Sequence, residues 1–177
     1  MPTIRPSIDD DVPAIAAIYS REVLHGVASF ELIPPSEDEM IARRARVIAA
    51  GMPYLSAELD GRVVGYAYSG IYRARPAYRF TVENSVYVAE GAQGAGIGRA
   101  LLGRLIEETE RAGARQMIAV IATAAGTTIG SGSIRLHRAF GFEHAGTLRA
   151  SGWKHGRWLD TVRMQRSLGP GGLTAPE

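Results

Sequence analysis

The sequence predicts an α/β (α+β) domain, a mixed sheet with helices on both faces. Three observations predict it. The hydrophobic period switches repeatedly between about 3.6 residues and 2 along the chain, so helices and strands are interspersed. A glycine-rich turn, Gln93-Gly94-Ala95-Gly96-Ile97-Gly98, joins a strand to the most regular helical pattern. The size and composition, 177 residues at 46% hydrophobic and 21% charged, suit one globular domain. Residues 1–168 are read as that single domain, and the Gly/Pro-rich stretch 169–177 as a mobile tail.

The elements follow in order. Thr3 to Arg5 is short and β-branched, a first strand. Asp9, Asp10 and Asp11 precede apolar Val12, Ile15, Ile18, Tyr19 and Val23, and carboxylates ahead of a helical period mark a helix start. Pro13 fits its first turn, where a missing N–H does no harm. Ser36 opens a second helix as a capping box with Glu39, and Gly51 stops it. Tyr54 to Glu58 and Val63 to Ser69 flank an Asp60-Gly61 turn and form a hairpin. Arg79 to Val88 is a longer strand. Ile97 to Ala112 places Ile97, Leu101, Leu102, Leu105 and Ile106 on one face and closes at Gly113. Gln116 to Ala122 is a buried strand and Ser133 to Phe140 a short helix. Thr147 to Trp153 and Trp158 to Arg166 make a closing hairpin around Lys154 to Arg157.

Composition excludes several classes of function. The net charge of +2 argues against a general nucleic-acid binder. No apolar run approaches the roughly 18 residues that span a membrane. The absence of cysteine removes disulfides, zinc–cysteine sites and thiol nucleophiles. The four histidines show no metal-ligand spacing, so no metal site is read. The start Met-Pro-Thr-Ile-Arg carries no basic-then-apolar leader, and the expected location is the cytoplasm. Basic residues are almost all Arg, with Lys154 the one lysine.

The glycine turn is the strongest chemical signal. It is not a dinucleotide fingerprint, because the third glycine of that pattern would fall at Arg99; nor is it a P-loop, because Gly98 is followed by Arg rather than Lys. What remains is a turn whose glycines let backbone approach a ligand closely, at a helix N-terminus whose unpaired N–H groups favour an anion such as a pyrophosphate. An ordinary glycine turn is the alternative.

Q-x-x-G-x-G after a strand ending Val-Tyr-Val, continued by Ile-Gly-Arg-Ala-Leu-Leu, resembles the coenzyme A signature of the GNAT acetyltransferase superfamily. The resemblance runs from Ile4 to Leu168. It is nearest to the phosphinothricin and methionine sulfoximine N-acetyltransferases through Thr81 to Val88, Ser133 to Phe142 and Gly146 to Asp160. It implies a mostly antiparallel, twisted sheet. It also implies acetyl-CoA as co-substrate and a homodimer with the closing strands or the Ser29 to Pro35 loop near the partner. Coenzyme A is expected along Val86, Tyr87 and Val88, at Gln93, Gly94, Ala95, Gly96, Ile97 and Gly98, and at Ser133.

Acetyl transfer to an amine needs a base, a donor for the developing oxyanion and a proton for the leaving thiolate. Glu83 interrupts an apolar strand, and a mid-strand carboxylate is costly unless paired or used. The resemblance implies a general base there; a salt bridge to Arg79 or Arg75 is the alternative. The oxyanion donor is expected to be a backbone N–H near Val88. His137 stands where many relatives carry a Tyr, and an imidazolium there could protonate the sulfur; a packed histidine is the alternative. The resemblance assigns substrate binding to Arg73, Arg75, Asn84 and Ser85, the arginine forks suiting carboxylate or phosphinate oxygens; a solvated arginine-rich loop, or a hold on the 3′-phosphate of coenzyme A, is the alternative for the arginines. The loop Ala122 to Gly132 is longer than in those enzymes, and Gly130 stands where they carry an Asn that contacts coenzyme A; Thr127, Thr128 or Ser131 could substitute. The expected activity is transfer of acetyl to the α-amino group of a small amino acid. A protein N-terminus or antibiotic as acceptor, and a catalytically idle coenzyme A-binding regulator, stay open.

Overall fold

A computed structural model describes residues 2–124 and 132–176. The elements are β1 (Thr3–Pro6), α1 (Val12–His25), α2 (Glu37–Ala49), β2 (Tyr54–Leu59), β3 (Arg62–Ile71), β4 (Thr81–Val88), α3 (Ile97–Arg111), β5 (Gln116–Ala124), α4 (Gly132–Ala139), β6 (Glu143–Lys154) and β7 (Arg157–Ser167). Among the described residues the seven strands form one sheet in the order β1-β2-β3-β4-β5-β7-β6. Every neighbouring pair is antiparallel except β4 with β5. That makes the sheet mixed and mostly antiparallel, as expected.

Side-chain alternation sorts the strands' residues onto two faces. On one, Tyr54 and Tyr66 pack with Val12, Ile15, Tyr19 and Val23 of α1 and Met40 of α2. On the other, Leu55, Ala57 and Ala67 meet Ile97, Leu101 and Leu105 of α3. Val82, Met117, Val162 and Met164 continue that second face against Leu102 and Ile106 of α3 and Ile134 of α4. Full burial of each such aliphatic side chain contributes about 1.5–3 kcal/mol. Close approach of α3 to the sheet requires Gly65, where an added Cβ would stand 2.9 Å from the Tyr87 carbonyl oxygen and 3.2 Å from Ile97 and Leu101 side-chain atoms.

The acidic start of α1 does more than face a helix end. Asp11 is buried and accepts from the two terminal guanidinium nitrogens of Arg5 at 2.7 and 2.8 Å, from Ser56 Oγ at 2.7 Å and from the Ile8 N–H at 3.0 Å, so it ties β1, β2 and α1 together. Half of the expected capping box forms at α2. Ser36 Oγ accepts from the Glu39 N–H at 3.2 Å, while the Glu39 carboxylate is taken by Arg43 and Arg46.

Three elements depart from expectation. β4 starts at Thr81, not Arg79, because Pro76–Tyr78 form a 3-10 turn and Arg79 stacks over the Phe80 ring, 4.4 Å from its centroid. β6 begins at Glu143, four residues before Thr147; register shifts at His144/Gly146 and Leu148/Gly152 disrupt its alternation. Lys154, read as part of the turn of the closing hairpin, belongs to β6 and is 2% exposed; the turn is His155-Gly156. The segment after β7 turns back on the domain, with Arg115 donating to Thr174 Oγ1 at 3.2 Å and to the Ala175 carbonyl at 3.4 Å. Residues 125–131, including Thr127, Thr128, Gly130 and Ser131 of the long loop, lie outside the described residues.

Candidate active site

The parallel pair β4 and β5 is in register only from Thr81–Asn84 opposite Gln116–Ala119. Past Asn84 the strands part: β4 stays with β3 to Val88, and β5 stays with β7 to Ala124. The Ala89 N–H donates to the Val64 carbonyl on the β3 side. By strand alternation the N–H and C=O groups of Val86 and Val88 therefore point to the side β5 has left.

A cavity of about 620 Å³ fills this opening and passes through the sheet. On the α1 face its walls are Tyr19, Glu22, the loop from Val27 to Glu31, Tyr68, Glu83, Ser85 and Tyr87. On the α3/α4 face they are Asn84, Val86, Ser133 and His137. Of the sequence-predicted residues, the structure therefore brings Glu83, Asn84, Ser85, Val86, Tyr87, Ser133 and His137 together. Glu83 and His137 face each other across the sheet, not along one surface.

Three carboxylates line the cavity and two are already engaged. Glu22 Oε1 accepts from the Ala28 N–H at 2.6 Å, and Glu31 pairs with Arg43 at 2.6 Å. Glu83 makes no salt bridge or hydrogen bond among the described residues, to Arg75, Arg79 or any other group. Partial burial raises its pKa above the ordinary 4.5, opposed by the positive charge of Arg163. A carboxylate of that kind takes up a proton more readily than an exposed one.

The expectation of a charged His137 is corrected. It is 4% exposed, and burial holds its pKa below the ordinary imidazole value of 6.5. Nδ1–H donates to the Ser133 carbonyl at 2.8 Å, and Nε2 accepts from Asn84 Nδ2 at 2.8 Å. A neutral ring with both nitrogens committed holds Asn84 in place and has no proton aimed at the cavity. The Asn84 side chain is left with a buried Oδ1 that has no partner among the described residues.

The glycine turn opens beside this cavity. Gly94 and Gly96 have φ of +81° and +80°, and Gly96 is the N-cap of α3 with no side-chain cap, so its first-turn N–H groups are unspent. An added Cβ at either glycine meets nothing within 4 Å, which leaves the outer side of the turn clear for a ligand. Val88 and Gln93 line a neighbouring cleft with Ala89 and Glu90.

Arg73 and Arg75 are not brought to the cavity. They sit exposed on the turn between β3 and β4, Arg73 stacked on the rings of Tyr72 and Tyr78 at 5.2 and 5.7 Å. In their place the structure adds a well-held loop that sequence reasoning missed. Ser29 Oγ bonds the Tyr19 hydroxyl at 2.9 Å, and the Lys154 ammonium donates to the Ser29 carbonyl at 2.6 Å. His155 Nε2 donates to the Gly26 carbonyl at 3.1 Å. The tip of the β6–β7 hairpin thus fixes the wall opposite Glu83.

Comparison with known proteins agrees with this geometry. The acetyltransferase (GNAT) family model matches residues 17–142. The phosphinothricin N-acetyltransferase of Alcaligenes faecalis is 52% identical over 175 residues, 99% of this chain and 87% of that protein. The L-methionine sulfoximine/L-methionine sulfone acetyltransferase of Salmonella typhimurium is 40% identical, covering 94% of each chain. The crystal structure of a phosphinothricin acetyltransferase from Sinorhizobium meliloti in complex with AcCoA superposes with a TM-score of 0.94 at 47% identity, over 99% of this chain and 93% of that one. With a sheet that parts at β4 and β5, a glycine turn at the head of α3 and matches across nearly its whole length, the chain belongs to the GNAT family of acetyltransferases.

Proposed function

We propose that this protein transfers the acetyl group of acetyl-CoA to the α-amino group of a small amino acid with a compact polar side chain, of the kind represented by phosphinothricin and methionine sulfoximine. The observation that carries the proposal is Glu83, the cavity carboxylate without a partner among the described residues, at the point where β4 and β5 part. The names of the relatives support the choice of acceptor class.

The residues present fit acetyl-CoA. Gly94, Gly96 and the first N–H groups of α3 would hold its pyrophosphate. The strand-edge groups of Val86 and Val88, with the unpartnered Asn84 Oδ1, would hold its amide-bearing arm. Bound there, acetyl-CoA supplies an acetyl group activated as a thioester. Glu83 takes the proton of the acceptor's ammonium, directly or through a water, because an ammonium has no lone pair to offer. The Val88 N–H points where negative charge gathers on the carbonyl oxygen. Neutral His137 acts by holding Asn84. Transfer is direct: the amine nitrogen bonds the acetyl carbon, the carbon–sulfur bond breaks, and coenzyme A leaves as the thiol, its sulfur taking the nitrogen's second proton directly or through water; the chain has no cysteine to take the acetyl group first. The protein works in the cytoplasm, where acetyl-CoA is available. It works as a homodimer, with the exposed Leu32, Ile33, Trp153 and Trp158 at the contact.

The test is release of free thiol from acetyl-CoA with a panel of amino acids, their sulfones and sulfoximines, a peptide and an aminated antibiotic. Turnover with phosphinothricin or methionine sulfoximine is expected. Turnover confined to the peptide or the antibiotic refutes the acceptor class, and binding of acetyl-CoA without any turnover refutes the enzyme. Sedimentation velocity tests the dimer.

A further inference from the structure

On the Glu83 face of the sheet, one strand beyond the cavity wall, lies a cation that neither the glycine turn nor the arginine-rich turn accounts for. Arg163 lies on β7 directly opposite Val120 of β5, and Val120 lines the cavity. Glu83 pairs with Ile118, and Ile118 with Gln165, so alternation places Arg163 on the same face of the sheet as Glu83. Two strand spacings and two residues separate their Cα atoms, on the order of 12 Å. Arg163 is half-buried, one strand away from the cavity wall at Val120, and makes no salt bridge or hydrogen bond among the described residues. An arginine fork left unpaired beside a cavity is built for an anion, and a carboxylate matches it with two hydrogen bonds.

We propose that Arg163 is the anchor for the acceptor's α-carboxylate and that the acceptor lies between Arg163 and Glu83, its ammonium toward Glu83. The proposal rests on the reading of the acceptor as an amino acid. It assigns to β7 the role that sequence reasoning gave to Arg73 and Arg75.

The arrangement couples binding to the strength of the base. Several charged or titratable groups face Glu83. Glu22 on α1 is held by the Ala28 N–H, and Glu31 on the loop is held by Arg43. The hydroxyls of Tyr19, Tyr68 and Tyr87 are neutral, with burial pushing each pKa upward. Arg163 is the cation that opposes the effect of burial on Glu83. A carboxylate seated on Arg163 offsets that positive charge, so Glu83 binds a proton more tightly once the acceptor is in place. The site becomes more basic when there is an ammonium to deprotonate.

The experiment compares wild type, Arg163→Gln and Arg163→Lys on two acceptors, methionine sulfone and the same compound with its carboxylate converted to a carboxamide. Arg163→Gln is expected to raise KM for the acid roughly ten- to a hundredfold, the loss of a charge-assisted pair, with KM for the amide and for acetyl-CoA unchanged. Arg163→Lys is expected to recover part of the loss. In wild type the acid limb of kcat should lie at higher pH than that of kcat/KM; in Arg163→Gln the kcat/KM limb should move up to meet it. If Arg163→Gln keeps the wild-type ratio of acid to amide and the wild-type limbs, Arg163 is no anchor. Loss of both acceptors together with a change in sedimentation makes it a structural residue and overturns the proposal. Wild-type failure on every amino acid, with a peptide still acetylated, overturns the amino-acid reading and this inference with it.

Discussion

Replacing Glu83 by Gln separates catalysis from stability, because the structure predicts opposite signs for the two. Glutamine keeps the shape and a hydrogen-bonding head but cannot take a proton. A lost general base lowers turnover by roughly 10²–10⁴, which at 1.36 kcal/mol per decade raises the barrier by about 2.7–5.5 kcal/mol. The smaller end is expected here, since a water can carry the proton to bulk solvent through a cavity of about 620 Å³. Stability should move the other way. Burial raises the Glu83 pKa above 4.5 in the folded chain, and no ion pair repays the buried charge. A folded-state pKa above the unfolded one contributes stability below pH 4.5, and that contribution is lost as pH rises through the folded value. Glu83→Gln should therefore melt higher than wild type at pH 7 and no higher below pH 4.5. The assays are thiol release from pH 5 to 9 and thermal melts at matched pH. The turnover deficit should also shrink as pH approaches the acceptor amine's own pKa. Wild-type turnover, or a variant that melts lower at pH 7, refutes the reasoning and makes Glu83 a structural carboxylate.

Gly96→Val should fold, since nothing lies within 4 Å of a new Cβ, but its φ of +80° and the blocked turn should weaken acetyl-CoA at least tenfold, about 1.4 kcal/mol, by calorimetry. Gly65→Ala should cost about 1–3 kcal/mol in urea unfolding, because its Cβ meets the Tyr87 carbonyl oxygen at 2.9 Å and backbone cannot yield cheaply. Lys154→Met keeps the apolar stem and loses the bond to Ser29, so the acceptor KM should rise several-fold with acetyl-CoA KM unchanged in initial-rate kinetics.

How much of this was legible in the sequence depends on what each pattern encodes. The five apolar positions of α3 fix both a helix and its buried face, and all five are buried. The glycine turn announces itself because positive φ and a bare helix end both select glycine. Glu83 stands out because a carboxylate in an apolar strand needs a reason. The parting of β4 from β5 has no such signature: alternation says which face a residue takes and nothing about where a neighbouring strand leaves. The bulges in β6 hide its first residues, since each shift resets the alternation. Arg163 was lost among the other arginines, distinguished only by a register that requires three strands to be aligned. His137 could be placed but not charged, because its protonation is set by burial and by Asn84, which is 53 residues away.

The burial of Lys154 bears on the chemistry of the molecule's outer surface. It is the chain's one lysine, and its amine is folded beneath the loop it holds. The other nineteen of the twenty Lys and Arg residues are arginines, whose guanidinium groups stay protonated throughout the working pH range and are poor nucleophiles. A thioester donor acylates free amines slowly wherever it meets them, and a protein built to concentrate such a donor is exposed to that side reaction more than most. This surface offers the donor no ε-amine. Positive charge is kept for solubility and for pairing with anions, while the functional group that would be capped, and its charge erased, is out of reach. Reagents that label or cross-link proteins through lysine meet the same inert surface.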